Sequence, residues 1–344
     1  MTEYFDLVDA DSLSGKNPCS HIERLTEKCT ARRALVGGQT LIREATRMSS
    51  FHSKMTCFIV MGLAVVLPNF SLAQSQTAPT QSDQPRISVV YEPPRNSAFQ
   101  QLYDLLREGR ALEKIQEILS PLQLPEQLII RTTQCDAIDS IYKRENFKPT
   151  VLICYELLKH ILDSVPHETT PAGVTPSDAA VGQFIFVTLH EVGHAVFDMF
   201  GVPIFGHEED AADNFATYIM LQFGRGQARR LIGGAAWAWR AYLGDYKKNP
   251  MVPKRIAAFA SDHGLPEERF YNLICLAFGA NRQEFADAED YLPPTRSQTC
   301  WHEYQTVLRA FHKEISPHID QEMARRVLDT DWLQGLESSP ASQK

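Results

Sequence analysis

Two histidines with a glutamate directly after the first lie in an apolar stretch of the chain, His190-Glu191-Val192-Gly193-His194. Residues four apart share one face of a helix, so both imidazoles can reach one zinc ion. Glu191 is then the candidate general base for a water molecule in the open coordination position. The pattern predicts a zinc-dependent hydrolase that cleaves peptide bonds by a zinc-activated water.

A third ligand is expected downstream, because a catalytic zinc usually has three protein ligands and one water. A motif extended by a further histidine is excluded, since Phe197 and Phe200 stand where it needs Gly and His. Glu209 is the preferred third ligand. Asp213 lies on the same helical face and is expected to accept the N–H of a ligand imidazole, which orients the ring.

Other polar residues keep alternatives open. Glu208 and His207 are alternatives for the third ligand, and Asp198 is expected at the surface or behind a ligand. A second donor to the developing oxyanion usually helps catalysis. By residue type alone the candidates are His263, Tyr271, Tyr291 and His302. The competing interpretation is a core helix with hydrogen-bonded histidines, followed by an acidic helix start that faces solvent.

The metal motif with the downstream Glu209 and Asp213 resembles the gluzincin arrangement of zinc peptidases. The stretch from Glu209 to Ala216 is also similar to short peptidases that cleave phage repressors. A closer resemblance, over roughly residues 97 to 315, is to a family of secreted bacterial metallopeptidase-like proteins, a domain of unknown function. The matching residues are Cys135, Cys154-Tyr155-Glu156-Leu157, Asp262-His263-x-Leu265, Arg269-Phe270-Tyr271-Asn272, Cys275, Leu292-Pro293 and Cys300-x-x-Glu303-Tyr304. This resemblance implies a zinc peptidase-like fold and names no substrate.

Composition places the chain among folded globular proteins. Of its 344 residues, 44% are hydrophobic and 22% are charged, and the net charge is −8. No cluster of basic residues runs along a predicted helix, so nucleic acid is not an expected partner. A peptide or protein substrate is the expected partner, and the oligomeric state stays open.

The N-terminal region predicts export. An apolar run at 58–67 is followed by Ser71-Leu72-Ala73, a small-x-small cleavage pattern, so residues 48–73 are expected to be a signal peptide. Residues 1–47 are interpreted as a doubtful extension before the true start. The predicted location is periplasmic or extracellular, with membrane attachment only if the signal stays uncleaved.

Cysteine usage agrees with export. Four of the seven cysteines lie after residue 73, and three pairings of them are possible. The pairing of Cys135 with Cys154 and of Cys275 with Cys300 is preferred, because each encloses a short segment. An exported protein can form such disulfides.

Periodicity predicts an α+β fold, mainly helical and zincin-like, with a small strand layer before the metal-motif helix. Strands are expected at 87–91, 127–133 and 150–155, and one of their edges could hold an extended peptide. The segment between the last two strands is expected to be a loop, and 224–234 to join two helices. Residues 74–96 are a linker with a short strand, 97–335 a single domain and 336–344 a disordered tail.

Three functional hypotheses follow. The preferred one is an exported zinc metalloendopeptidase. The alternative is a catalytically inactive zinc-binding structural or interaction protein of the cell envelope, against which the intact Glu191 argues. The third is a membrane-anchored envelope protein that binds no metal.

Overall fold

In the described part of the chain, a four-stranded sheet with two helices inserted after its first strand precedes a larger group of helices. The computed structural model describes residues 86–248 and 262–334. The strands are β1 (Ile87–Tyr91), β2 (Leu128–Thr133), β3 (Ser140–Glu145) and β4 (Lys148–Cys154). The helices are α1 (Gln100–Glu108), α2 (Ala111–Leu119), α3 (Tyr155–Ser164), α4 (Pro176–Phe200), α5 (Glu208–Gln222), α6 (Arg225–Lys248), α7 (Pro266–Ala280), α8 (Pro294–Ser297), α9 (Cys300–Glu314) and α10 (Gln321–Leu328). The predicted α+β, mainly helical class is confirmed.

The sheet has the strand order β1-β2-β4-β3. The first two pairings are parallel, and β3 is an edge strand that runs antiparallel to β4. The core lies between this sheet and α4, where Ile130 and Ile153 of the sheet and Leu189 and Val192 of the helix are fully buried. Burial of such side chains is the main stabilising contribution of the core.

Strand β3 corrects the sequence prediction, which expected a loop between β2 and β4. Asn146 and Phe147 both have positive φ, 49° and 66°, and form a two-residue turn into β4. The usual sequence signal of such a hairpin turn is Asn-Gly. Phenylalanine at the second position removes that signal, and pairing with the buried strand β4 stabilises a segment with weak strand character of its own.

Helix α4, which carries the metal motif, begins and ends at residues that favour helix ends. The side chain of Thr175 accepts the N–H of Asp178, the carboxylate of Asp178 accepts the N–H of Thr175, and Pro176 is the first helical residue. Gly201 ends the helix with φ 63°, a left-handed conformation that glycine adopts without strain. By length and composition α4 is the one helix among the described residues that could cross a membrane. Its most apolar stretch is 72% buried, as expected of a core helix.

Helix α6 corrects a second prediction, since residues 225–248 form one helix and 224–234 do not join two. Gly182 of α4 and Gly234 of α6 lie where the helices meet. A Cβ atom at Gly234 would lie 1.9 Å from the carbonyl oxygen of Asp178. Gly182 and Gly234 therefore allow the two helices to pack closely, although the segment around Gly234 has the glycine-rich composition that is typical of a loop between helices.

The segment 97–119 contains the two helices α1 and α2. The break falls at Gly109 and Arg110, and Arg110 has φ 50°. The three predicted strands are present with ends shifted by at most two residues.

Both preferred disulfides are present. Cys135 pairs with Cys154 across Cα atoms 5.4 Å apart, and Cys275 pairs with Cys300 across 4.9 Å. The first bond joins the segment before β3 to the end of β4, and the second joins α7 to α9. Such bonds persist in oxidising compartments.

All described residues belong to one compact unit of the chain, residues 77–344. The predicted extension at 1–47, the signal peptide at 48–73 and the tail at 336–344 lie outside the described residues.

Candidate metal centre

The two motif histidines are adjacent on the inner face of α4. Their Nε2 atoms are 3.2 Å apart, and the ring planes are nearly perpendicular, at 77°. His190 is 3% exposed and His194 is partly buried. The helical spacing therefore directs both rings to one point, as predicted.

Glu209, at the start of α5, reaches the same point. Its Oε2 atom lies 3.0 Å from Nε2 of His190 and 3.4 Å from Nε2 of His194. A negative charge in the first turn of α5 also agrees with the helix dipole. The preferred trio of ligand candidates is thus brought together, with its donor atoms within 4.8 Å of one another.

Carboxylates occupy the outward-facing nitrogen of each ring. Nδ1 of His190 donates to Asp213 at 2.7 Å, and Nδ1 of His194 donates to Glu208 at 2.8 Å. An imidazole that carries its proton on Nδ1 presents a lone pair on Nε2. The structure therefore places Asp213 where the sequence expected it, and it places Glu208 behind His194 and not among the three converging donors.

Arg269 of α7, for which the sequence predicts no role, lies behind Asp213. Its guanidinium donates to both carboxylate oxygens, at 2.8 and 2.7 Å. The same guanidinium lies over the ring of Trp239, 4.8 Å from its centroid. The only signal in the sequence was the family resemblance of the segment that begins at Arg269.

The carboxylate of Glu191 turns toward the edge strand β3. Ser140 Oγ donates to Oε1 at 2.9 Å, and the main-chain N–H of Tyr142 donates to Oε2 at 2.7 Å. Glu191 is 5% exposed. Both donors belong to the strand that the sequence had predicted as a loop, so they could not be anticipated.

Of the four residues considered as second donors, His263 is the one at the centre. Its Nε2 atom donates to Oε2 of Glu209 at 2.8 Å, and its ring stacks on that of His190 with centroids 5.7 Å apart. His263 is not part of the converging trio. It therefore contacts the Glu209 carboxylate from the side.

The other candidates lie in different surroundings. Tyr271 packs on Phe270, the ring of Tyr291 faces Arg240, and His302 contacts Trp301. Asp198 accepts hydrogen bonds from the Tyr142 hydroxyl and from Nε of Arg144 at 2.7 Å. His207 precedes the first residue of α5 and is exposed.

The ionisation of the cluster follows from this arrangement in the metal-free protein. Burial lowers the pKa of His194, but its hydrogen bonds to Glu209 and Glu208 outweigh burial and raise the pKa to about 9. Burial raises the pKa of Glu209, but hydrogen bonds from three imidazoles outweigh it and hold the pKa well below its ordinary value. The metal-free cluster therefore keeps an anionic carboxylate among protonated rings.

The donor set fits a zinc ion. Zinc–nitrogen and zinc–oxygen bonds of about 2.0 to 2.1 Å in a tetrahedron separate neighbouring ligand atoms by about 3.3 Å. The three separations observed here are 3.0, 3.2 and 3.4 Å. Two imidazoles and one carboxylate also form a common catalytic zinc ligand set.

A second group, Cys135, Cys154 and Glu156, has donor atoms close enough to hold a metal. Its sulfurs form a disulfide, and the Glu156 carboxylate accepts the main-chain N–H groups of Cys135 and Asp136. This group is therefore a structural anchor of the segment before β3.

Comparison with known proteins gives a family and no individual relative. Residues 91–314 match the model of the family DUF4344, whose description reads "Putative metallopeptidase". No curated protein and no solved structure matches the chain. The matched segment contains β2, β3, β4, α4, α5 and α7, and therefore every residue of the centre described above. The chain belongs to this family of metallopeptidase-like proteins.

Proposed function

We propose that the protein is an exported zinc-dependent endopeptidase. In this proposal His190, His194 and Glu209 hold the ion, and Glu191 is the general base. The observation that carries the proposal is the convergence of three donor atoms at zinc-ligand separations, with the opposite nitrogen of each imidazole hydrogen-bonded to a carboxylate. Family membership supports a metallopeptidase in general.

When bound, zinc would lower the pKa of a coordinated water to about 7 and polarise the substrate carbonyl. The protein's own groups would do the rest. Glu191 would accept the proton of the attacking water and pass it to the leaving amine. His263, next to Glu209, is the candidate that would donate a hydrogen bond to the developing oxyanion.

The surroundings of Glu191 suit an extended peptide. The side of β3 opposite β4 is not paired with another strand among the described residues. Such an edge can hold a peptide by main-chain hydrogen bonds, as an added strand. Because β3 lies against the base, a peptide bound there would pass beside Glu191.

Export is part of the proposal. The two disulfides agree with an oxidising compartment, and the segment 48–73 has the pattern of a signal peptide. The proposal therefore places the enzyme outside the cytoplasm, where it would meet peptide or protein substrates.

The test combines metal content with cleavage of an internally quenched fluorescent peptide library. The zinc-loaded parent should cleave peptides and lose activity with a chelator. Glu191→Gln should keep zinc and lose cleavage, while Glu117→Gln, at an exposed position of α2, should match the parent. Equal cleavage by the parent and Glu191→Gln would refute the mechanism.

The ligand assignment has its own measurement. Glu209→Ala should lose stoichiometric zinc, and Glu208→Ala should keep it with at most about 10- to 100-fold weaker binding, because Glu208 supports a ligand and is not one of the trio. Zinc retained by Glu209→Ala and lost by Glu208→Ala would reverse the assignment. A zinc-loaded parent that cleaves no peptide would favour the inactive zinc-binding alternative.

A further inference from the structure

We propose that Ser140 is a positioning residue that holds the carboxylate of Glu191 in its working orientation. The inference rests on the proposed function of Glu191 as the general base. Ser140 has no part in the metal-ligand pattern, and it lies in a segment for which the sequence predicts no regular structure.

Both oxygens of the base are held by one strand. In the described part of the chain, the hydrogen bonds to Glu191 come from Ser140 Oγ and from the main-chain N–H of Tyr142. Since Glu191 is 5% exposed, bulk solvent does not readily replace a donor that the protein loses at this carboxylate. Two donors on two oxygens fix the carboxylate plane, and one donor leaves it free to turn about the remaining bond.

Strand β3 is itself fixed against α4. Asp198, two turns after Glu191, accepts hydrogen bonds from the Tyr142 hydroxyl and the Arg144 guanidinium. Residues 140 to 144 of β3 therefore lie alongside residues 191 to 198 of α4. The strand cannot move along the helix without breaking these contacts, so the hydroxyl of Ser140 has a defined position.

The start of β3 is held from the other side as well. The main-chain N–H of Cys154 donates to the carbonyl oxygen of Asp139 at 3.3 Å, and Cys154 is bonded to Cys135. Ser140 pairs with Ile153 of β4. The disulfide and the β3–β4 pairing therefore position the residue that holds the base.

A side-chain substitution can remove only one of the two donors to Glu191, the hydroxyl of Ser140. The Tyr142 donor is a main-chain group and survives side-chain replacement. Removal of the Ser140 hydroxyl should leave zinc and substrate binding in place and disorder the base. Changes behind a metal-site residue typically reduce activity about 10- to 100-fold, and here the loss should fall on kcat and not on KM.

The experiment uses the zinc-loaded protein and the peptide that the parent cleaves best in the quenched fluorescent library. Ser140→Ala should lower kcat about 10- to 100-fold with KM and zinc content unchanged. Ser88→Ala, at a half-buried serine of β1 in the same sheet, is the matched control and should keep parent kinetics. Should Ser140→Ala fold poorly, Ser140→Thr and Ser140→Val form an isosteric pair in which only threonine keeps the hydroxyl and should keep kcat.

Crystal structures provide a readout apart from activity. The Glu191 carboxylate should occupy its parent position in Ser140→Thr and a shifted or divided position in Ser140→Ala or Ser140→Val. Parent kcat and an unmoved carboxylate in the hydroxyl-free variants, beside an inactive Glu191→Gln, would overturn the positioning role alone. Absence of zinc-dependent cleavage in the parent, or parent-like cleavage by Glu191→Gln, would overturn the proposed function and this inference with it.

Discussion

The Arg269–Asp213 pair behind the metal centre allows a stability prediction with an internal control. Replacement of Arg269 by Met keeps an unbranched side chain and removes the charge. It leaves Asp213, whose side chain is 13% exposed, with His190 as its remaining ionic partner. The control is Arg229→Met, because Arg229 makes the same two-bond contact with Asp287 at 2.6 Å on a more open surface.

Burial decides the expected magnitudes. Removal of one partner from a buried ion pair costs about 3 to 5 kcal/mol, since the other charge stays buried without compensation. Exposed pairs contribute about 0 to 1 kcal/mol. The Arg269–Asp213 side chains are 17% and 13% exposed, and the Arg229–Asp287 side chains are 34% and 38% exposed. Because His190 still compensates part of the Asp213 charge, we expect about 3 kcal/mol for Arg269→Met and about 1 kcal/mol or less for Arg229→Met.

Urea unfolding of the metal-free proteins measures this difference. In a thermal scan the same losses correspond to a Tm lower by about 6 to 12 °C for Arg269→Met and by less than about 4 °C for the control. Equal losses in the two variants would refute the argument from burial. Both guanidiniums also lie over an aromatic ring, so the control matches that contact too.

The pH dependence follows from the same pair. Burial raises the pKa of Asp213, but the hydrogen bond from His190 and the charge of Arg269 outweigh burial and hold the pKa below 3.8. A lowered carboxylate pKa stabilises the fold above the unfolded value, and this stabilisation is lost as the pH falls through the folded value. The difference between parent and Arg269→Met should therefore be constant from pH 8 to pH 5 and shrink below about pH 4. A difference that grows in acid would contradict this assignment.

Two further predictions concern metal uptake and helix packing. Because the pKa of His194 is about 9 and that of His190 is also raised, zinc binding at pH 7 should release about one to two protons, whereas two ordinary histidines would release about half a proton. Calorimetry in buffers of different protonation enthalpy measures this number, and a release near half a proton would contradict the hydrogen-bonded cluster. Gly234→Ala should destabilise the protein by at least about 1 to 3 kcal/mol, because its Cβ would meet the Asp178 carbonyl, whereas Gly226→Ala on the same helix has open space and should be neutral or stabilising by up to about 1 kcal/mol. Equal changes in stability for Gly234→Ala and Gly226→Ala in chemical denaturation would show that Gly234 is not a packing residue.

The arrangement of His190, Glu191 and His194 could be predicted from the sequence because it is local. A helical period of 3.6 residues places side chains four apart on one face whatever the rest of the fold does. The ends of α4 were predictable for the same reason, since Thr175, Pro176 and Gly201 act on their own neighbours. Glu209 and Asp213 were identified by their shared face, also a local property.

Strand β3 and the residues it contributes could not be predicted, because their structure depends on pairing with β4 and packing on α4. The segment 140–145 pairs with the neighbouring strand β4 across a turn that lacks the usual glycine, and its Ser140 and Tyr142 donate to Glu191, which is 51 and 49 residues away in the chain. The packing role of Gly234 could not be predicted for the same reason, since its close contact with Asp178 exists only once the two helices have packed.

What the sequence by itself determined is thus a pair of histidines, a glutamate between them and an acidic helix start, each defined by spacing within one element. Only the tertiary structure decided that the Glu209 carboxylate meets both rings, that Arg269 lies behind Asp213, and that Ser140 and Tyr142 hold Glu191. The physical reason is that helical periodicity acts over a few residues, whereas these contacts join groups 15 to 56 residues apart in the chain, which only the packing of the core brings together.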